Sequence, residues 1–152
     1  MFTREISTEI EFSGTPDEAW TVLADLRAWP EWNPGVRAME GEAIEGTRLR
    51  FATTLASGRK VSLRPRVLVA EPGRELRWRG RLVVPGIFDG THRHRLETTE
   101  PGRVRYVQSE RFRGVLVPFL RRLIDVETVR SFAATNEALA RRVAELRERS
   151  AA

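Results

Sequence analysis

Two histidines and a carboxylate carry most of the chemical potential of this chain. His92 and His94 are the only histidines in its 152 residues, and Glu110 lies on the next alternating run. In 88–98, Phe88, Gly90, His92, His94 and Leu96 share one parity against Arg93, Arg95 and Glu97. In 103–113, Val104, Tyr106, Gln108, Glu110 and Phe112 share one parity against Arg103, Arg105, Arg111 and Arg113. Alternate side chains of a strand point to the same face. A hairpin turning at Glu100-Pro101-Gly102 therefore sets Leu96 opposite Tyr106, His94 opposite Gln108 and His92 opposite Glu110. Directly opposite residues lie about 4.5–5.5 Å apart at Cβ, within reach of an imidazole–carboxylate hydrogen bond. A tight turn at Pro85-Gly86-Ile87 would likewise set Trp78 opposite His94 and Gly80 opposite His92.

The inner face then holds a polar cluster, His92, His94, Gln108 and Glu110, ringed by Trp78, Phe51, Leu76 and Phe112. Three kinds of chemistry fit it. Glu110 and His92 could form a buried pair that fixes strand register and does nothing else. They could be the convergent polar groups of an apolar ligand pocket. Or a carboxylate beside His92 could raise the imidazole's affinity for a proton and make it an acid or base near neutral pH. His92, His94 and Glu110 could in principle hold zinc. Two histidines and one glutamate in an apolar pocket more often hydrogen-bond, and the reading here is no metal and no cofactor. There is no Cys, no Ser-His-Asp spacing, no Gly-rich phosphate loop and no His-x-x-x-His pair.

Positioning these groups requires a sheet and something to cover it. Residues 3–12 alternate, with Ile6, Thr8, Ile10 and Phe12 on one side, as a half-buried strand does. Thr15-Pro16-Asp17-Glu18 opens a helix, with Thr15 as cap, Pro16 at the first position and an apolar set of Ala19, Trp20, Leu23 and Leu26. Trp29-Pro30-Glu31-Trp32-Asn33-Pro34-Gly35 is a stub or turn, because two prolines interrupt it. Strands are predicted over 36–45, 47–56, 60–70, 74–83, 88–98 and 103–113, each closed by a Gly-containing turn or a similar break. Leu49, Phe51, Thr53 and Leu55 face inward, as do Val61, Leu63, Val67 and Val69, and Leu76, Trp78 and Leu82.

The cover is the end of the chain. From Pro118 to Arg149 there is no further Gly or Pro, and Phe119, Leu120, Leu123, Ile124, Val129, Phe132, Ala133, Leu139, Ala140, Val143 and Leu146 recur at helical spacing. No other long helix exists to pair with it, so its stripe must bury against the sheet. Asn136 falls among these apolar positions and needs a partner, expected on a strand or on the first-helix segment. The order β-α-α-β-β-β-β-β-β-α is an α+β plan in one domain, 1–149, with 150–152 as a tail.

This plan resembles the helix-grip fold of the START-like (SRPBCC) superfamily, the polyketide cyclase/dehydrase and lipid-transport proteins. The resemblance rests on Pro16-Asp17-Glu18-Ala19-Trp20, Trp29-Pro30-Glu31-Trp32-Asn33-Pro34, Glu75-Leu76-Arg77-Trp78, Gly90 to Glu97, Glu110 to Gly114 and Phe132 to Leu139, in that order. It implies a curved seven-stranded antiparallel sheet wrapped around the last helix, with two short helices between the first two strands. It also implies an apolar cavity between sheet and helix, lined by Trp32, Phe51, Trp78, His92, His94, Gln108, Glu110, Phe112 and Phe132. Members of the superfamily include cyclases, lipid carriers, hormone receptors and chaperone cofactors, so fold does not fix function.

The expected activity is binding of a small hydrophobic molecule, polyketide-like or lipid-like. A cyclase/dehydrase using His92 and Glu110 is one alternative, and a chaperone-cofactor or protein-interaction module is another. Charge separates these from nucleic-acid binding. The net charge is +5, and Lys60 is the one lysine among 26 basic residues. Arginines crowd the outer parity of the strands, but every sheet aromatic falls on the inner one, so no stacking platform for bases exists. Glu5, Glu9, Glu11, Glu75 and Glu97 share the outer side and neutralise part of it. The start, MFTREISTEIEF, is charged and alternating, and no apolar run approaches the roughly 18 residues of a membrane span. A cytoplasmic protein without a membrane span or nucleic-acid partner is expected.

Overall fold

The computed structural model describes residues 1–82 and 84–152. The chain folds in the order β1 (Phe2–Ser13), α1 (Pro16–Ala24), α2 (Trp29–Trp32), β2 (Val36–Glu40), β3 (Arg50–Thr54), β4 (Lys60–Leu63), β5 (Arg66–Glu71), β6 (Glu75–Leu82), β7 (Phe88–Glu100), β8 (Arg103–Gly114) and α3 (Val129–Ala151). All pairings are antiparallel. A five-stranded sheet runs β1-β8-β7-β6-β5 and a three-stranded sheet runs β2-β3-β4.

Eight strands in two sheets replace the expected seven in one, and Pro65 supplies the reason. Proline has no N–H for the ladder, and the predicted strand 60–70 breaks there into β4 and β5. Around the break the chain before β3 takes over the pairing. Leu49 N donates to Pro65 O at 2.7 Å, and Val67 N donates to Thr47 O at 2.9 Å. A single bridge, Arg48 to Arg66, joins the two sheets into one curved wall. The predicted strand 74–83 ends on Val83, which lies outside the described residues.

Local chemistry explains both ends of α1. Thr15 Oγ1 accepts from Glu18 N at 3.2 Å, and Glu18 Oε1 accepts from Thr15 N at 3.1 Å, a reciprocal cap that satisfies two otherwise unpaired donors. After a 3₁₀ turn, Leu26–Ala28, the stub Trp29–Trp32 ends at Asn33. Val22 is buried beside Ala19 and Leu23, whereas Trp20 is only half-buried.

The last helix is not one uniform rod. It begins as a 3₁₀ turn, Val117–Leu120, continues as a π-helical stretch, Leu123–Thr128, and becomes α-helical from Val129 to Ala151, past the expected end at Arg149. Three residues per turn bring Val117 and Leu120 to one side, so Phe119 points out and is 82 % exposed instead of buried. Along α3 the buried positions are Phe132, Thr135, Asn136, Ala138, Leu139 and Val143. Ala133, expected in the stripe, is exposed.

A polar belt crosses the core. On β8, Val104 and Tyr106 belong to one apolar cluster and Phe112 to another, with Gln108 and Glu110 between them. The same division recurs on β1, where Thr8 separates Ile6 from Phe12, and on α3, where Thr135 and Asn136 separate Phe132 from Leu139. Sheet and helix thus grip each other through two apolar contacts and a hydrogen-bonded seam.

Candidate functional site

The seam is built around Gln108. Its amide nitrogen donates to Phe132 O at 3.0 Å and to Asn136 Oδ1 at 2.6 Å. With both donors used, its oxygen accepts from His92 Nε2 at 3.0 Å, which places the imidazole proton on Nε2. Asn136 Nδ2 in turn donates to Thr8 Oγ1 at 3.0 Å, so the helix asparagine finds its partner on strands, as its sequence position required. A second link, Asn33 Nδ2 to Thr135 Oγ1 at 2.9 Å, ties the tryptophan stub to α3. No sequence signal marked Thr135, because a lone threonine on a helix carries none.

The β7–β8 register sets His92 opposite Glu110, His94 opposite Gln108 and Leu96 opposite Tyr106, as the Pro101-Gly102 turn predicted. The β6–β7 register differs by two residues from expectation: Trp78 pairs with His92 and Leu76 with His94. Leu82 pairs with Phe88, so the link spans 83–87 and is longer than the tight turn assumed. Gly80 faces Gly90 across this pair.

Both glycines line a cavity of about 590 Å³ between the sheets and the last helix, and the room their missing side chains leave is taken by Leu63 beside Gly80 and by the Glu110 carboxyl beside Gly90. Its walls are largely apolar: Trp29, Phe51, Leu63, Trp78, Phe88, Phe112, Leu120, Ile124 and Phe132. His92, Gln108 and Glu110 face it from the five-stranded sheet, the buried Asn33 and Thr135 add polar groups, and the exposed Ala56, Arg59, Arg81, Leu82 and Arg130 mark the rim. Ser57 Oγ donates to Glu127 Oε2 at 2.8 Å, joining the β3–β4 hairpin tip to the π-helical stretch beside the opening.

Of the nine pocket residues expected from the sequence, seven border this space: Phe51, Trp78, His92, Gln108, Glu110, Phe112 and Phe132. Trp32 and His94 do not. Trp32 stands behind Trp29, with ring centroids 5.1 Å apart, and Trp29 lines the cavity in its place. His94 is fully buried, bonds through Nδ1 to the Tyr106 hydroxyl, and lies 4.7 Å from Trp78 centroid to centroid. Gly80, Phe88 and Gly90, whose parity pointed inward, complete the lining together with Leu63.

Glu110 stands apart from the seam. The expected bond to His92 is absent; among the described residues its carboxyl has no hydrogen-bond or ion-pair partner, and burial alone pushes it up to about 8. It occupies space that Gly90 leaves free, since a Cβ on residue 90 would come within 2.5 Å of Glu110 Oε1. Burial lowers His92 to about 4, only partly countered by its bond to Gln108. His94 is likewise lowered well below its ordinary value, by burial and by the neighbouring His92. The expectation that Glu110 would make His92 more basic is therefore reversed. Desolvation outweighs any attraction between them, and at neutral pH the acid is protonated and both imidazoles are neutral.

The outer face is a lattice of ion pairs. Arg105 reaches Glu11 at 2.8 Å and Glu97 at 3.1 Å, and Glu75 is buried between Arg77 and Arg93. Among the described residues no helix is long and apolar enough to cross a membrane.

A curved antiparallel sheet closing on one long helix around an apolar cavity is the helix-grip architecture. The chain belongs to the polyketide cyclase/dehydrase and lipid transport family, whose sequence profile matches residues 3–148. No curated protein sequence matches it. Among solved structures it is similar to the Zhui aromatase/cyclase from Streptomyces sp. R1128, at 18 % identity and TM-score 0.77 over 93 % of this chain and 94 % of that one. It is also similar to a START superfamily protein from Mycobacterium smegmatis, at 15 % identity and TM-score 0.74 over 93 % and 98 %. Norcoclaurine synthase from Thalictrum flavum, solved with dopamine and hydroxybenzaldehyde, matches at 16 % identity and TM-score 0.74 over 95 % and 88 %. At these identities the likeness is one of fold.

Proposed function

We propose that the protein binds a small, mostly apolar molecule inside the cavity and anchors one polar group of it on Glu110. The observation that carries this reading is the carboxyl itself. It borders a space of about 590 Å³ with aromatic walls and has no partner among the described residues. Glu110 is half-buried with its carboxyl facing the cavity, where a bound carbonyl, hydroxyl or similar group would supply the hydrogen bond it lacks within the protein. Cavities of a few hundred Å³ with few polar groups are the usual form of small-molecule sites. Family membership supports the same class of ligand, polyketide-like or lipid-like. An interaction module acting only through its surface has no use for such a space.

The test is titration with an apolar fluorescent probe, read through the tryptophans at the wall, Trp29 and Trp78. Saturable one-to-one binding that Phe112→Trp blocks by filling the space supports the reading. Partitioning without saturation contradicts it.

A second reading, a cyclase or dehydrase, is favoured by one feature: a protonated carboxyl and a neutral imidazole border the same cavity. Glu110 would donate a proton to a carbonyl or leaving hydroxyl, and the apolar walls would hold a reactive chain folded. Glu110→Gln separates the two readings. It keeps a hydrogen-bond donor, so binding should survive in both; turnover on a polyketide-type substrate should fall by about 10²–10⁴ only in the second.

A further inference from the structure

We propose that the end of the five-stranded sheet beside the cavity mouth is a docking surface for an anionic lipid bilayer. Eight large apolar side chains stand exposed among the described residues, and five of them collect here. Phe119 is 82 % exposed, Phe2 56 %, Val84 50 %, Val115 47 % and Leu82 43 %. Backbone contacts bring these five together from four parts of the chain. Phe2 pairs with Gly114 at the end of β8, and the next residue, Val115, donates its N–H to Gly86 O at 3.1 Å. Leu116 N donates to Ile87 O, and Phe119 N donates to Leu116 O. Leu82 pairs with Phe88 at the other side of the same turn, and Ile87 N donates to Val84 O at 3.3 Å.

Soluble surfaces scatter single apolar residues; a cluster of this kind marks a contact. Charge selects the partner. Arg4, Arg81, Arg113, Arg121 and Arg122 stand at this end, and the acids beside them include Glu5, Asp89 and Asp125. Asp125 is held by Arg4 at 2.8 Å, and Asp89 lies opposite Arg113 and 3.9 Å from Arg81. Arg121 and Arg122 have no ion-pair partner among the described residues, and only Leu120 separates them from Phe119. Exposed apolar side chains ringed by arginines are what an interfacial segment presents to anionic lipid.

Position separates a bilayer from an acidic protein partner. Leu82 and Leu120 both line the cavity, so the exposed patch runs into the apolar interior. A molecule dissolved in lipid could pass from bilayer to cavity along this edge without crossing water. The inference does not depend on which molecule the cavity holds.

Co-sedimentation of the full chain with vesicles tests it. The protein should pellet with phosphatidylglycerol-containing vesicles, remain in solution with pure phosphatidylcholine, and be released as salt screens the arginines. Phe119→Asp should reduce binding about tenfold or more, and Arg121→Glu with Arg122→Glu should do the same, both with an unchanged melting temperature and unchanged uptake of the apolar probe. No sedimentation with anionic vesicles would overturn the proposal, as would binding indifferent to both variants. A dimer in light scattering that Phe119→Asp dissociates would show that a second copy covers the patch, and would equally overturn it.

Discussion

Glu110 and His92 stand directly opposite each other on the β7–β8 pair, yet their side chains do not bond. His92 gives its Nε2 proton to Gln108 at 3.0 Å, while the Glu110 carboxyl lies in the space left by Gly90. Each group is therefore tuned by its own desolvation, and in opposite directions. The acid rises to about 8 and the base falls to about 4. The result is a cavity whose sheet wall carries neutral polar groups, with formal charge only from Arg59, Arg81 and Arg130 at its rim.

This opposition gives a pH signature. Between about 4.5 and 6.5 the unfolded chain carries the His92 and His94 protons and the folded chain carries the Glu110 proton, so Glu110 offsets only one histidine and stability should already fall as pH drops below about 6.5. From about 6.5 to about 8 only Glu110 differs: the folded state holds a proton that the unfolded state has lost. Stability should then fall with rising pH, by at most about 1.4 kcal/mol per unit. Below about 4.5 Glu110 is protonated in both states and its offset is gone, so the acid loss steepens until His92 itself takes up a proton near 4. Urea unfolding of Glu110→Gln should lose the alkaline slope and keep the acid one. An unchanged alkaline slope would assign the titration to another group.

Gly90→Ala tests the space beside the carboxyl. The new Cβ would meet Glu110 Oε1 at 2.5 Å, the far end of a flexible side chain. The carboxyl should swing aside at a cost below about 1 kcal/mol. Probe affinity should nonetheless fall about tenfold, because both the volume and the anchor change. Equal affinity in a fluorescence titration would show that the guest does not reach Glu110.

Much of this arrangement was legible from parity alone. The β7–β8 register followed from one Pro-Gly turn, and it placed His92, Gln108 and Glu110 on one face. The β6–β7 register was not legible, because a turn at Pro85-Gly86 fits a three-residue link as well as the five-residue one observed. Pro65 announced a break that the apolar alternation of Val61 to Val69 concealed. Phe119 looked buried because helical spacing was assumed to be uniform, whereas 3₁₀ and π segments shift its phase. The protonation states were misjudged for a different reason. Opposite charges side by side suggest an ion pair, but the surroundings desolvate both before either can charge.

Gln108→Leu probes the seam. It leaves the His92 Nε2 proton and Asn136 Oδ1 without their partner inside the core, at a cost of about 2–4 kcal/mol in denaturant unfolding. A loss below about 1 kcal/mol would mean that water or a rearranged side chain replaces the amide.

The helix grip itself is tested by a contrast. Leu139 is fully buried between α3 and the sheet, and Leu139→Ala should destabilise by about 2–5 kcal/mol. Phe119→Ala, at an exposed position, should change stability by less than about 0.5 kcal/mol. Similar losses at both sites in urea unfolding would place the buried face wrongly.

The central claim is that the cavity holds a molecule anchored by Glu110, and native mass spectrometry tests it most directly. Protein from its own host should carry a non-covalent adduct of one small apolar compound, which collisional activation removes to leave the chain mass. The adduct should be lost when Glu110 becomes Leu while the variant still folds. Only the bare chain mass from host-purified protein, with no adduct on exposure to a panel of polyketide-like and lipid-like compounds, would contradict the account.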